Sequence, residues 1–338
     1  MPQVHIIGGG IIGCAIAWRL AQSGAQVIIS EAGRLGGQSS GAGAGMLAPG
    51  GEVDHDSTWA RHTVEGLAMY PAFVGELSEE SGVAIDYRSC GALELAYSAY
   101  ELHDITRKAE FQAALGIPST PVTPAEAAAM APALAVDGLH GARHYPNDAI
   151  VDPRNIMQAL EKALRARGVE IREQSPVTKL PEADAVVLAA GAWSSSIVSG
   201  APESFPVKGY LVGYQFNHGT LKPILRHGHT YILQRSNGFT IVGSTTERAG
   251  FDTKIDPAIV QRLHERANRY LPSLFRSSPD VSWIGFRPGV EGGTPQVRRM
   301  EGTNIMLAYG HYRNGILLAP LTATMVRNEV LSNFTHQG

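Results

Sequence analysis

The 338-residue chain has only two cysteines, Cys14 and Cys90, far apart and without a CxxC or histidine-rich companion. A disulfide framework and a zinc or other metal site are therefore not expected. Its 12 histidines show no HExxH spacing, and neither Ser/His/Asp chemistry nor a carboxylate pair emerges with defensible spacing. Charged residues make up 17% of the sequence, with 28 Lys and Arg against 31 Asp and Glu, and no basic block occurs. With a formal net charge of −3, nucleic acid and anionic membranes are not expected partners. Apolar runs such as 316–323 fall far short of the roughly 20 residues a spanning helix needs. The N-terminus runs straight into Val4-His5-Ile6-Ile7, without a charged leader and a small-residue cleavage site. A soluble, cytoplasmic protein is the expectation.

The chain does have apolar residues enough for a large core, 44% of the total, and a length that suits two interleaved domains. Residues 4–7 form an apolar strand-like run ahead of Gly8-Gly9-Gly10-Ile11-Ile12-Gly13. A helical pattern then extends to about Gly24, and Ala25 to Ser30 reads as the next strand. Glu31 closes it about 20 residues after the glycines, which is the spacing of a dinucleotide-binding βαβ unit. In such a unit Gly8 makes the tight turn, Gly10 lets backbone reach the pyrophosphate, and Gly13 permits close helix–strand packing. The Glu31 carboxylate can accept both ribose hydroxyls and would repel the extra phosphate of NADP. The spacing does not choose between NAD and FAD, and a merely structural glycine turn is the competing reading.

Downstream, 57–82 reads as helical with a break or a new first turn at Pro71, 91–97 as a strand, and 98–130 as helical again. Asp152-Pro153 opens an amphipathic helix to Arg167, Gly168 stops it, and Val169-Glu170-Ile171 resumes a strand that returns to the first sheet. The continuous apolar run 186–191 predicts a central parallel strand. From Val207 to Thr246, short strand-like runs separated by turns such as Asn237-Gly238 predict an antiparallel sheet. A helix over about 257–271, the segment Trp283 to Pro288 with an apolar strand start, a strand at Ile305–Tyr309, and a final helix complete the chain.

Several residues could carry chemistry, each with a blander alternative. The small-residue loop 36–51, with Ser39 and Ser40 ahead of Ala44-Gly45-Met46, allows backbone to approach a ligand closely; otherwise it is surface loop. Arg287, read as lying in a turn of Gly285-Phe286-Arg287-Pro288-Gly289, can hold a carboxylate bidentately in a way Lys cannot; otherwise it is a surface arginine. Tyr231 can donate a hydrogen bond to the same carboxylate, or simply belong to the sheet. Gly310-His311-Tyr312-Arg313-Asn314-Gly315-Ile316 precedes the last helix, whose N-terminal N–H groups favour negative charge. His144, His227, His229 and His311 read as packing or surface residues, with His229 placed beside Tyr231 on one strand face.

Taken in order, the blocks 6–13, Ala44-Gly45-Met46-Leu47-Ala48-Pro49, Gly191-Ala192-Trp193-Ser194, Gly285-Phe286-Arg287-Pro288 and 310–320 span nearly the whole chain. In them the sequence resembles the D-amino-acid oxidase family, most closely its glycine oxidase branch, known from thiamine biosynthesis. The resemblance implies an α/β protein: an FAD-binding Rossmann-like domain of the glutathione-reductase/DAO type with an inserted antiparallel-sheet substrate domain. The implied FAD-binding domain comprises 1–85, 141–203 and 280–338, and the substrate domain 86–140 and 204–279. It assigns Gly8, Gly10, Ile11, Ile12, Gly13 and Glu31 to the ADP moiety and Ser39, Ser40, Ala44, Gly45 and Met46 to the flavin side. Val177 would meet the adenine through its backbone, and Gly191 and Trp193 belong to the nucleotide edge. Gly310, His311, Arg313, Asn314, Gly315 and Ile316 are implied at the isoalloxazine.

The resemblance further makes Arg287 the anchor of the substrate carboxylate, with Tyr231 assisting and Arg313 close to substrate and flavin. Thr246 stands where a relative carries a bulkier methionine near the substrate. No cysteine occurs in the last third of the chain, which implies noncovalent FAD. The implied reaction moves a hydride from the α-carbon of glycine or a small D-amino acid to flavin N5 and uses dioxygen, giving an oxoacid, ammonia and hydrogen peroxide. A D-amino-acid dehydrogenase with another electron acceptor and a flavin-binding redox module without amine turnover are the alternatives. A homo-oligomer is expected from family habit.

Overall fold

The computed structural model describes residues 2–335. Strands Gln3–Ile7, Gln26–Ser30, Glu170–Arg172, Ala185–Leu188 and Ile305–Tyr309 form a parallel sheet, to which Gln296–Arg299 adds antiparallel at one edge. Ala185–Leu188 lies inside this sheet with all four residues buried, as its uninterrupted apolar run requires. Helices Ile11–Gln22, Thr58–Ser81, Pro153–Ala166 and Gly315–Thr335 contribute to the core packed around it, with Trp18, Tyr70, Phe73 and Val326 among its buried side chains. Burial of this kind contributes roughly 1.5–3 kcal/mol per large apolar side chain. Asp152 caps Pro153–Ala166 by accepting from the Arg154 N–H at 2.9 Å, and Gly168 ends that segment at φ +72°.

A second sheet of eight strands runs in the order Val281–Val290, Ser204–Gln215, Phe239–Gly243, Thr230–Gln234, Ile224–His227, Ala92–Ala96, Gly141–Tyr145, Thr120–Val122. Its pairs are antiparallel except Ile224–His227 with Ala92–Ala96. Helix Pro257–Tyr270 packs on one face through Ile259, Leu263 and Ala267. A three-stranded sheet of Met46–Leu47, Ala149–Val151 and Tyr87–Ser89 adds a further layer. Among the described residues no helix is long and apolar enough to cross a membrane.

Two local expectations are corrected. Pro71 does not break its helix, which runs unbroken from Thr58 to Ser81. Packing of this helix against Pro153–Ala166 and Gly315–Thr335, with Tyr70, Phe73, Val74 and Leu77 in the shared core, outweighs the one backbone bond that proline forfeits. The stretch 98–130 is two helices, Ala99–Ala114 and Pro124–Met130, separated by strand Thr120–Val122. Gly116 at φ +81° stops the first, and a Thr123–Glu126 capping box starts the second. Strands Gly141–Tyr145 and Val281–Val290 pair in the eight-stranded sheet, and they fall in the stretches 141–203 and 280–338 that the expected bounds give to the FAD-binding domain. We propose domain bounds drawn by sheet membership, which moves both strands to the substrate domain.

Candidate active site

The glycine-rich turn is built by exclusion of side chains. Gly8 has φ +110° and leaves no room for a Cβ beside the Ala189 carbonyl, while a Cβ on Gly13 would be driven into the Gly8 carbonyl oxygen. Helix Ile11–Gln22 thereby closes tightly on strand Gln3–Ile7, and Gly10 stands at its N-cap. The Glu31 carboxylate accepts from the Gly9 and Gly33 N–H groups, each at 2.7 Å, so it is fixed at the end of its strand with further lone pairs to offer. Ser40 Oγ accepts from the Ile11 N–H at 2.9 Å, and Ser39 Oγ donates to the Phe286 carbonyl. The small-residue loop is thus tied at both ends of one cavity.

That cavity has a volume of about 570 Å³ and runs from Glu31 to Arg287. Gly8, Gly10, Ile11, Ile12, Glu31, Ser39, Ser40, Ala44, Gly45, Met46, Val177, Gly191, Trp193, Tyr231, Arg287, Gly310, His311, Arg313, Asn314, Gly315 and Ile316 all line it. Of the residues the sequence singled out for the site, Gly13 does not line the cavity; its place is behind the turn. A dinucleotide fits these residues on three counts: a turn stripped of Cβ atoms, a carboxylate fixed at the second strand, and a helix N-terminus at the far end.

At that far end two paired strands supply the lining. In Ser204–Gln215 the residues Gly209 and Leu211 line the cavity and Lys208 and Tyr210 do not, while in Val281–Val290 the consecutive residues Gly285, Phe286, Arg287 and Pro288 all line it. Arg287 therefore lies inside an edge strand and not in a turn. Pro288 misleads the sequence reading, because an edge strand tolerates the missing N–H. The guanidinium crosses Gly209, its Cζ 2.6 Å from where a Cβ would stand. Its Nη2 donates to Ser244 Oγ at 2.8 Å and its Nη1 to the Thr245 carbonyl at 2.9 Å. Burial pushes the Arg287 pKa down, and Arg313 adds to that shift.

Tyr231, buried at the same end, has its pKa raised by burial against the opposing pull of Arg287 and Arg313, so its phenol stays protonated and able to donate. Arg313 Nε donates to both carboxylate oxygens of Glu52, at 3.0 and 2.8 Å. Burial acts to lower the Arg313 pKa, but Glu52 outweighs it and the net shift is upward. His311 is 2% exposed, donates to or accepts from Thr322 Oγ1 at 3.0 Å, and is pushed down to about 4 by burial. Tyr312 holds φ +51°, a conformation that costs a non-glycine residue energy and is kept here by the surrounding turn.

Glu52 and Ser244 were not singled out from the sequence. Glu52 ends the short helix Pro49–Glu52, which packs on a buried ion pair: Arg226 Nη1 lies 2.6 Å from Asp148 Oδ2. A Cβ on Gly51 would stand 2.7 Å from that Arg226 nitrogen, and Gln112 Nε2 donates to the Gly50 and Val53 carbonyls at 3.0 and 2.7 Å. The only local signal is the Gly50-Gly51 pair, which permits this close approach. His229 and Thr246 are the converse cases: both are exposed and neither lines the cavity. His229 lies in the turn before strand Thr230–Gln234, not on a strand face with Tyr231.

A nucleotide groove under a parallel sheet, joined to an arginine on an antiparallel one, defines a dinucleotide-dependent oxidoreductase. The family model for FAD dependent oxidoreductases, DAO, matches residues 3–328, and the chain belongs to that family and uses FAD. It is 32% identical over 348 residues to a glycine oxidase of Geobacillus kaustophilus, covering 97% of this chain and 92% of that one. A glycine oxidase of Bacillus subtilis is 30% identical over 354 residues, with 99% and 94% covered. The crystal structure of the Geobacillus kaustophilus glycine oxidase superposes with a TM-score of 0.92 at 31% identity, covering 98% of this chain and 95% of that one.

Proposed function

We propose that this enzyme oxidatively deaminates glycine or another small amino acid, giving an oxoacid and ammonia and passing the electrons to dioxygen as hydrogen peroxide. The observation that carries this reading is Arg287, a half-buried guanidinium fixed by Ser244 and Thr245 and directed into the cavity that Tyr231 also lines. Arg287 binds the substrate carboxylate bidentately. Tyr231, kept protonated by burial, donates a second hydrogen bond to it. Together they fix the α-carbon in one orientation, so positioning supplies the protein's share of the rate. Bound FAD supplies the hydride-accepting centre. The substrate binds with its amine neutral, so that the nitrogen lone pair assists departure of the hydride from the α-carbon. The likeness to glycine oxidases at about 30% identity supports the substrate class. We also propose that FAD is held noncovalently, since neither Cys14 nor Cys90 lines the cavity.

The test is anaerobic mixing of the purified protein with glycine, sarcosine and D-alanine while the flavin absorbance is followed, then admission of air with a peroxide assay. Bleaching by one of these amines followed by peroxide is the expected result. A yellow protein that none of them bleaches overturns the small-amino-acid reading. Bleaching without peroxide moves the assignment to a dehydrogenase.

A further inference from the structure

Three charged side chains gather around Tyr231: Arg287, Arg313 and Glu52 each act electrostatically on its phenol, and the two arginines act on each other. Arg287 gives one N–H to a neutral hydroxyl and one to a carbonyl, so its positive charge is uncompensated by any direct partner among the described residues and N–H groups remain for a ligand. Arg313 is different. Its Nε gives a forked hydrogen bond to Glu52, whose carboxylate is held in place from behind by the Pro49–Glu52 turn seated on Arg226, Asp148 and Gln112. Two guanidiniums and one carboxylate leave 2 − 1 = 1 positive charge, the complement of a substrate with a single acid group.

We infer that Glu52 is the specificity-determining residue of this pocket: by occupying Arg313 it restricts the site to amines bearing one acid group and turns away those bearing two. This inference rests on the substrate class proposed above. A second carboxylate entering the pocket would have to displace Glu52 from Arg313 or lie beside it, a like-charge contact that binding at Arg313 cannot offset while Glu52 remains ionised. Discrimination therefore comes from a repulsive element built into the pocket, in addition to the attraction at Arg287. Glu52 needs no contact with the reacting atoms for this, and its fixed backbone turn explains why it cannot swing aside at low cost.

The experiment compares two unreactive ether analogues, methoxyacetate and diglycolate, which share one carboxymethyl arm and differ by the second acid group. Dissociation constants are read from perturbation of the flavin spectrum in the holoenzyme, so turnover does not enter. The wild type is expected to bind methoxyacetate the more tightly. Glu52→Gln is expected to shift the ratio toward diglycolate by about tenfold or more, because a neutral side chain frees Arg313. Arg313→Gln, which leaves Glu52 uncompensated, should move the ratio the other way. Ratios that stay within about twofold in both variants overturn the inference, as does a wild type that binds diglycolate as tightly as methoxyacetate. If Glu52→Gln loses its flavin, the wild type and Arg313→Gln decide. A wild type that binds neither analogue overturns this inference together with the substrate class, whereas normal methoxyacetate binding with unmoved ratios overturns this inference alone.

Discussion

Arg287 and Ser244 are joined by a hydrogen bond of 2.8 Å between Nη2 and Oγ, in a place where Ser244 is itself 2% exposed. One buried hydroxyl thus orients the proposed carboxylate anchor. Ser244→Ala should raise KM for glycine by about 10- to 100-fold, the range of a hydrogen bond to a charged group of roughly 1.5–3 kcal/mol. It should leave kcat within a few-fold and the flavin spectrum intact. Steady-state kinetics check this, and an unchanged KM would show that Arg287 holds its orientation without the serine.

Arg287→Ala separates substrate binding from cofactor binding. Removing a partly buried carboxylate partner costs about 2–5 kcal/mol, so KM should rise by roughly 1.5 to 3.5 orders of magnitude. The purified variant should stay yellow, because Arg287 sits at the opposite end of the cavity from Glu31. A colourless variant would mean that the guanidinium holds the cofactor as well.

What the sequence made legible follows how local each signal is. The Gly8, Gly10 and Gly13 turn and Glu31 could be read because their spacing is dictated by one βαβ unit. The strand at Ala185–Leu188 could be read because burial on both faces removes polar residues from it. Arg287 was recognised but misplaced, since Pro288 and Gly289 punctuate like a turn while the edge of a sheet accommodates both. Ser244 and Glu52 were invisible: their meaning comes from partners 43 and 261 residues away, a distance no local pattern spans. Pro71 misled for the related reason that tertiary packing, not propensity, keeps its helix whole.

Gly13→Ala tests the turn directly. With the Gly8 carbonyl oxygen in the way of a Cβ, the helix must move off its strand, at an overpacking cost of about 1–3 kcal/mol. The N–H groups at Gly10 and Ile11 would shift with it, so the variant should purify with less than half the wild-type flavin. Cofactor content, measured as the ratio of flavin to protein absorbance, decides the matter.

Asp148→Ala probes the brace behind Glu52. Asp148 has its pKa raised by burial, which the Arg226 guanidinium opposes. Removing it leaves Arg226 buried with only Glu94 nearby at 3.6 Å. The expected loss is about 3–5 kcal/mol of unfolding free energy, the range seen when one partner of a buried pair is deleted. Urea unfolding measures it, and a loss below about 1 kcal/mol would mean that Glu94 moves in to replace the missing carboxylate.

His311 imposes a pH dependence whose sign is fixed by its burial. Its native pKa of about 4 lies below the ordinary 6.5, so between those values the unfolded chain binds the proton and the folded one does not. Stability is therefore unaffected by this group above pH 6.5 and falls as the pH drops toward 4, by about 3 kcal/mol over the window at roughly 1.4 kcal/mol per unit. Many carboxylates titrate over the lower part of the same range, so the comparison is between wild type and His311→Gln in urea unfolding at pH 7 and pH 4.5. The variant should lose less stability across that interval by about 2–3 kcal/mol, because it has no proton to refuse. Equal losses would mean that the folded protein accommodates an imidazolium beside Thr322.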